Sequence, residues 1–476
     1  MKQFLRAVLL SVLFICSVPK AKATQEQNQL VFDRVKTFIN DQAIDSIYAM
    51  LTDDFKKKVP AETFKGFMIG SIFPLGKIDK ATLVQYKDGV STYNVDFATA
   101  RQSVMIAGND DGKISGLRFK PVTDATAVPR KDYKAATTNP LKTVFDKSID
   151  SIATEYISLK NTVGLQIGVW KDEKTYTYGY GETAKGNGKI PDANTLFEIG
   201  SITKTFTGTL LAYYVNEGKI QLSDPIIRYL PDSVAANKGL KGITIQMLSN
   251  HTSGLPSVPL NMDMSEQAEL NPYKGYDRAK MYSFLESYSN TMQPGQQYGY
   301  SNLAVGLLGT ILEDISGLAY EQMVKKVIAD PLDMEHTVQH IMHDDINANI
   351  TSVYNEEGKE VQMWDFDVIA AAGCLRSTMS DLLRYAAANI EPSKKLGKAM
   401  QLAHTKTYDK GTDDVGLGWH FISAKGNTLL WHNGGTGGSR SFLAFDPKKR
   451  FAIVVLSNSA ESVDETGIQL IKLMLR

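Results

Sequence analysis

Ser201 and Lys204 stand three residues apart in Ile199-Gly200-Ser201-Ile202-Thr203-Lys204-Thr205-Phe206. A serine hydroxyl is a weak nucleophile at neutral pH and needs a base. Residues i and i+3 share one helix face, so the Lys204 amine can reach the Ser201 hydroxyl. Burial would lower the amine's pKa and let it accept a proton. Thr203 to Val215 has good helical content and Gly218 is a natural stop. Ser201 therefore falls at or near a helix N-terminus, where free N–H groups can face an oxyanion. The spacing decides nothing alone. Ser17 and Lys20 share it near the N-terminus, and an N-cap serine beside a solvated lysine gives the same pattern.

A second element is Tyr-x-Asn, which occurs at Tyr214-Asn216, Tyr288-Asn290 and Tyr300-Asn302. The first sits inside the expected Ser201 helix and the second in a polar, helix-like stretch. The third follows Pro294-Gly295 and precedes the apolar run Leu303 to Leu312. That places Tyr300 and Asn302 on a loop entering a buried helix, where site residues commonly sit. A third element is Trp431-His432-Asn433-Gly434-Gly435-Thr436-Gly437-Gly438. Its glycines allow close backbone approach, and His432 is the polar side chain best placed to face a ligand. His336, His340 and His343 have a spacing that can mark a metal site, but on a strand it scatters the rings over both faces, so no metal is expected. No cofactor is expected either.

The elements that must position these residues follow from periodicity. Val31, Val35, Phe38, Ile39, Ile44, Ile47, Tyr48 and Leu51 make a helical stripe over 30–51. Residues 82–120 read as strands with turns at Asp88-Gly89 and Asp111-Gly112. Together, residues 25–120 form a small α+β domain. Residues 121–140, with Pro121, Pro129 and Pro140, read as a linker. The domain at 141–476 opens on a stripe from Leu141 to Tyr156. A buried strand, Val163 to Trp170, then turns through Lys171-Asp172-Glu173-Lys174 into Thr175 to Tyr180. Its far end mirrors this, with strands Phe442 to Phe445 and Phe451 to Leu456 and a closing helix, Ile468 to Leu475. One antiparallel sheet built from both termini, with a helical subdomain inserted between, is the expected α/β architecture, in the α+β sense.

Composition sets the boundaries. The chain has 476 residues and a formal net charge of zero, so nothing pulls it toward nucleic acid or a membrane surface. Residues 1–23 read as a signal peptide: Lys2 and Arg6, an apolar run from Ala7 to Val18, then Ala21-Lys22-Ala23. The run is short for a bilayer span, so the mature protein is expected to be periplasmic or secreted with no stable membrane span. Cys374 is then the one remaining cysteine, set among small apolar residues as a buried thiol.

With these motifs in place, residues 141–476 resemble the serine β-lactamase and penicillin-binding-protein superfamily, in its class C, D-aminopeptidase and esterase branch. Ser201-x-x-Lys204, Tyr300-x-Asn302 and His432-x-Gly434 appear in the family's order. Phe197-Glu198-Ile199-Gly200, His251-Thr252-Ser253-Gly254-Leu255-Pro256, Leu375-Arg376-Ser377-Thr378 and Gly416-Leu417-Gly418-Trp419 also look like family landmarks. The resemblance implies a β-lactamase/transpeptidase-like fold and acylation of Ser201. Lys204 and Tyr300 would shuttle the proton, with the base undecided between them. Asn302 would bind Lys204 and the substrate amide, and the N–H groups of Ser201 and Gly435 would form the oxyanion hole. Many members carry Lys-Thr-Gly where this chain has His432-Asn433-Gly434. A histidine with an ordinary pKa of about 6.5 is mostly neutral at neutral pH. That favours a D-amino-acid peptide or small ester as substrate, including cell-wall fragments, over a β-lactam. A sensor that acylates slowly on the same fold is the alternative. Residues 25–120 look similar to small NTF2-like domains, which leaves wall-fragment binding, dimerisation and gating of the site all open.

Overall fold

Thr24 starts the first helix with a reciprocal cap. Its hydroxyl accepts the Gln27 N–H at 3.2 Å and its own N–H donates to the Gln27 amide oxygen at 2.7 Å. The helix, α1 (Gln25–Asn40), buries Val31, Phe32, Val35 and Ile39. They pack on an antiparallel sheet of β1 (Ile78–Lys87), β2 (Val90–Phe97), β3 (Arg101–Gly108) and β4 (Ile114–Pro121), in that order. Strands β2 and β3 alternate buried and half-buried residues, the signature of a sheet with one covered face. Phe32 stacks on Tyr93 with ring centroids 4.0 Å apart. Helices Asp53–Lys58 and Ala61–Phe67 complete this unit where no periodicity was legible.

Asn28 pins the helix to the sheet. Its buried amide donates to Gly89 O at 3.0 Å and Ser91 Oγ at 3.2 Å, and its oxygen accepts the Gly108 N–H at 2.7 Å. Asn28→Ala should destabilise this unit by about 1–3 kcal/mol, because the Gly108 N–H is left buried and unpaired. A lowered thermal midpoint of the full chain checks it.

The computed structural model describes residues 23–476 except 60, 88, 99–100, 122–128, 131, 260, 264, 266–269, 291, 342–348, 392–395 and 410–413. The signal-peptide reading and His343 thus lie outside the described residues, Ala23 apart. The chain divides into two compact units, Met1–Asp124 and Ala125–Arg476. Pro129 pairs with Leu159 and Thr137 with Tyr180, so this part of the stretch read as a linker is hydrogen-bonded into the second unit. Backbone pairing of this kind leaves no trace in apolar periodicity.

In the second unit, α2 (Val144–Ile157) is capped by Thr143 and Asp146. The hairpin of β5 (Gly164–Lys171) and β6 (Lys174–Gly181) turns through Asp172 and Glu173, both at positive φ. Next come β7 (Leu196–Glu198), α3 (Thr203–Asn216), α4 (Asn302–Ser316), β8 (Arg376–Thr378) and α5 (Met379–Ile390). The chain closes with β9 (His420–Ala424), β10 (Asn427–Gly435), β11 (Arg440–Asp446), β12 (Phe451–Ser457) and α6 (Asp464–Met474). The main sheet runs β9-β10-β11-β12-β5-β6, antiparallel throughout. It joins both ends of the unit, as the terminal strands implied.

Helices α2 and α6 cover one face of the sheet, and α5 packs on the other. There a Cβ on Gly168 would fall 2.2 Å from Met379 Sδ. Every residue of β12 is buried, because both faces of that strand are covered. Helix α3 is buried from Thr203 to Ala212, so it is a central helix rather than an amphipathic surface one. Among the described residues no single helix is long and apolar enough to cross a membrane.

Candidate active site

Ser201 sits in a short 3-10 turn, Gly200–Ile202, that feeds directly into α3. Gly200 takes φ +49°, and a Cβ there would lie 2.6 Å from Gly435 N. A Cβ on Gly434 would lie 2.1 Å from Ile199 O and 2.9 Å from Ser201 N. These two glycines therefore let the end of β10 press against the serine turn, backbone to backbone. Ser441 of β11 holds the contact by donating to Ile199 O at 2.7 Å. The result sets the backbones of Ser201 and Gly435 beside one another, where two N–H groups can converge on an oxygen.

Lys204 is one turn along α3 and only 1% exposed. Its Nζ lies 2.9 Å from Ser201 Oγ, 2.7 Å from Asn302 Oδ1 and 2.7 Å from Ala372 O. None of these partners is a carboxylate. Burial drives the Lys204 pKa well below its ordinary value. The contacts suit a neutral amine: two N–H bonds go to oxygens that can only accept, and the lone pair faces a hydroxyl that can donate.

Tyr300 donates to Ser201 Oγ at 2.7 Å. It lies on the loop before α4, whose N-cap Ser301 accepts the Ala304 N–H. Burial pushes the Tyr300 phenol pKa up, so it stays a donor at neutral pH. The hydroxyl chain thus runs Tyr300 O–H to Ser201 Oγ–H to Lys204 Nζ. Asn302 opens α4, and its amide N–H donates to Tyr273 Oη at 3.0 Å. That bond orients the Asn302 oxygen toward Lys204. The other tyrosines lie elsewhere: Tyr288 donates to Gly254 O at 2.6 Å, and Tyr214 packs edge-on against Tyr213.

His432 is buried on β10. Its Nδ1 donates to Asn433 O at 2.5 Å, and among the described residues its Nε2 has no partner. Its ring is 5.0 Å from His420 and 6.4 Å from Tyr300. Burial holds its pKa well below the ordinary value. Burial likewise brings His420 to about 4. The imidazoles next to Lys204 are thus uncharged at neutral pH. His336 and His340 are elsewhere. The His336 N–H donates to Asp381, and His340 pairs with Glu321 at 2.8 Å. Among the described residues no group of three or more His, Cys, Asp or Glu is placed to hold a metal. Cys374 is buried, and its thiol pKa is pushed well up by that burial.

Sequence reasoning missed four contributors. Ala372 acts through its backbone carbonyl, which no side-chain pattern reports. Tyr273 lies in the helical insertion, where only composition was legible. It stacks on Phe366 with centroids 4.8 Å apart. Glu198, adjoining the serine turn, is buried and accepts from Thr436 Oγ1 at 2.6 Å and the Trp364 N–H at 2.7 Å. His251 stood inside a quoted landmark without a role.

Comparison with known proteins matches residues 149–473 to the Beta-lactamase family model. A β-lactamase of Escherichia coli K12 is 30% identical over 64% of this chain and 86% of its own length. One of Pseudomonas fluorescens is 28% identical over 65% of this chain and 92% of its own. Among solved structures, a class C β-lactamase superposes with a TM-score of 0.61 at 26% identity, over 68% of this chain and 93% of the other.

Proposed function

Since the chain belongs to the beta-lactamase family, we propose that it is an exported serine hydrolase that cleaves a D-amino-acid peptide or small ester through an acyl-enzyme on Ser201. The observation that carries this reading is the contact set of Lys204, a buried amine with two obligate acceptors and its lone pair toward Ser201 Oγ. Lys204 takes the Ser201 proton as Oγ attacks the carbonyl carbon. The negative charge developing on the carbonyl oxygen is met by the N–H groups of Ser201 and Gly435. When the intermediate collapses, Tyr300 protonates the departing nitrogen or oxygen, and the proton on Lys204 restores the phenol. Water then attacks the acyl carbon, passes its proton back along the same chain and releases Ser201. Asn302 holds Lys204 and offers its amide to the substrate.

The relatives' names favour β-lactam hydrolysis as a second reading. Against it stands His432, a neutral buried ring where a lysine would offer a cation to the lactam carboxylate. A kinetic panel separates them. The expected order of kcat/KM is ester or D-alanyl peptide first and penicillin last. Penicillin turned over fastest would replace this reading with the lactamase one. A penicillin adduct that persists, with no turnover of any ester or peptide, would make the protein a slow sensor.

A further inference from the structure

We infer that His251 is a positioning residue that sets Tyr300 on Ser201 by holding the backbone on both sides of it. The inference rests on the proposed role of Tyr300. The Gly299 N–H donates to His251 O at 2.7 Å, and the Ser301 N–H donates to His251 Nδ1 at 3.2 Å. One residue thus fixes the peptide groups before and after Tyr300. The His251 ring also packs on the Tyr300 ring, with centroids 4.5 Å apart and planes 34° apart.

His251 adopts φ +62°, a left-handed conformation uncommon outside glycine, although histidine takes it more readily than most side chains. Such strain persists where the surroundings over-determine it. Here they do. The Tyr288 hydroxyl donates to Gly254 O at 2.6 Å and the Asn290 amide to Ser253 O at 3.0 Å. The Gly295 N–H donates to Thr252 O at 2.7 Å. The Tyr288-x-Asn290 pair, which resembles the site motif in sequence, buttresses this turn instead. His251 is 2% exposed, and since Nδ1 accepts from Ser301, its proton is on Nε2. Burial keeps its pKa well below the ordinary value. The ring therefore stays neutral, and Nδ1 keeps the lone pair that the Ser301 N–H needs.

The backbone and the acceptor can be tested apart. Asparagine tolerates positive φ and puts its Oδ1 where Nδ1 sits. Glycine tolerates the φ better still but has no acceptor, and glutamine carries its acceptor one bond too far. The substrates are methyl butyrate and p-nitrophenyl butyrate, which share an acyl group and differ in how much acid help the leaving group needs. His251→Asn should keep kcat within about 3-fold of wild type on both esters. His251→Gly and His251→Gln should lose on the order of 10- to 100-fold in kcat on the methyl ester, with less loss on the p-nitrophenyl ester and KM unchanged. Should the glycine variant not fold, the Asn and Gln pair decides alone. Equal activity in all variants, or equal loss in all, would overturn the inference while leaving the proposed function in place. A wild type that hydrolyses neither ester and takes no fluorophosphonate on Ser201 would remove the proposed function itself.

Discussion

Lys204→Met is expected to slow acylation of Ser201 by about 10³-fold, within the range a positioned general base supplies. Methionine fills much of the lysine volume but cannot take the Ser201 proton. Among the described residues no ready substitute stands there, because the partners of Ser201 Oγ are Lys204 Nζ and the Tyr300 hydroxyl, not an imidazole. Lys204→Arg should fail as completely, since a guanidinium stays protonated. The pH dependence follows from the direction of the Lys204 shift. A lowered pKa leaves the amine free of its proton at every pH above it, so the wild-type rate should fall as pH drops through that lowered pKa.

Stability should show the same linkage. Between its lowered native pKa and its unfolded value of about 10.4, Lys204 binds a proton in the unfolded chain and none in the native one, so stability rises with pH. The thermal midpoint of wild type minus that of Lys204→Met should therefore increase from about pH 7 to about pH 9. A flat difference would mean that Lys204 is protonated in the folded protein, and the base would have to be sought elsewhere.

Tyr300→Phe should lower kcat by about 10²-fold on an alkyl ester or amide and by much less on a p-nitrophenyl ester. The substitution keeps the ring packed on His251 and removes the O–H that donates to Ser201 Oγ. Alkoxide and amide leaving groups need a proton as they depart, and p-nitrophenolate does not. Parallel losses on both substrates would assign Tyr300 to orientation of the serine instead of proton donation. A matching Tyr288→Phe change removes a brace from the His251 turn but no group from Ser201, so it should cost far less than Tyr300→Phe on the alkyl ester.

The sequence made the Ser201 and Lys204 pair visible because helix geometry fixes what lies three residues on. Tyr300 and Asn302 were separable from their rivals because an apolar helix follows them directly. The sheet built from both ends was legible in the strand runs on either side of the helical middle. Three features were not. Ala372 O reaches Lys204 across a fold-dependent distance and belongs to no side chain. His251 works through a left-handed backbone and an imidazole acceptor, neither of which has a periodicity. The helix Asp53–Lys58 is too short and too charged to show an apolar stripe.

Whether Ser201 is the nucleophile of a Lys204-activated site is decided by intact-mass analysis after exposure to a fluorophosphonate at neutral pH. One phosphonyl group per chain is expected, mapped to Ser201, absent from Ser201→Ala and formed about 10³-fold more slowly in Lys204→Met. A wild-type chain that takes no label, or a Ser201→Ala chain that takes as much as wild type, would contradict it.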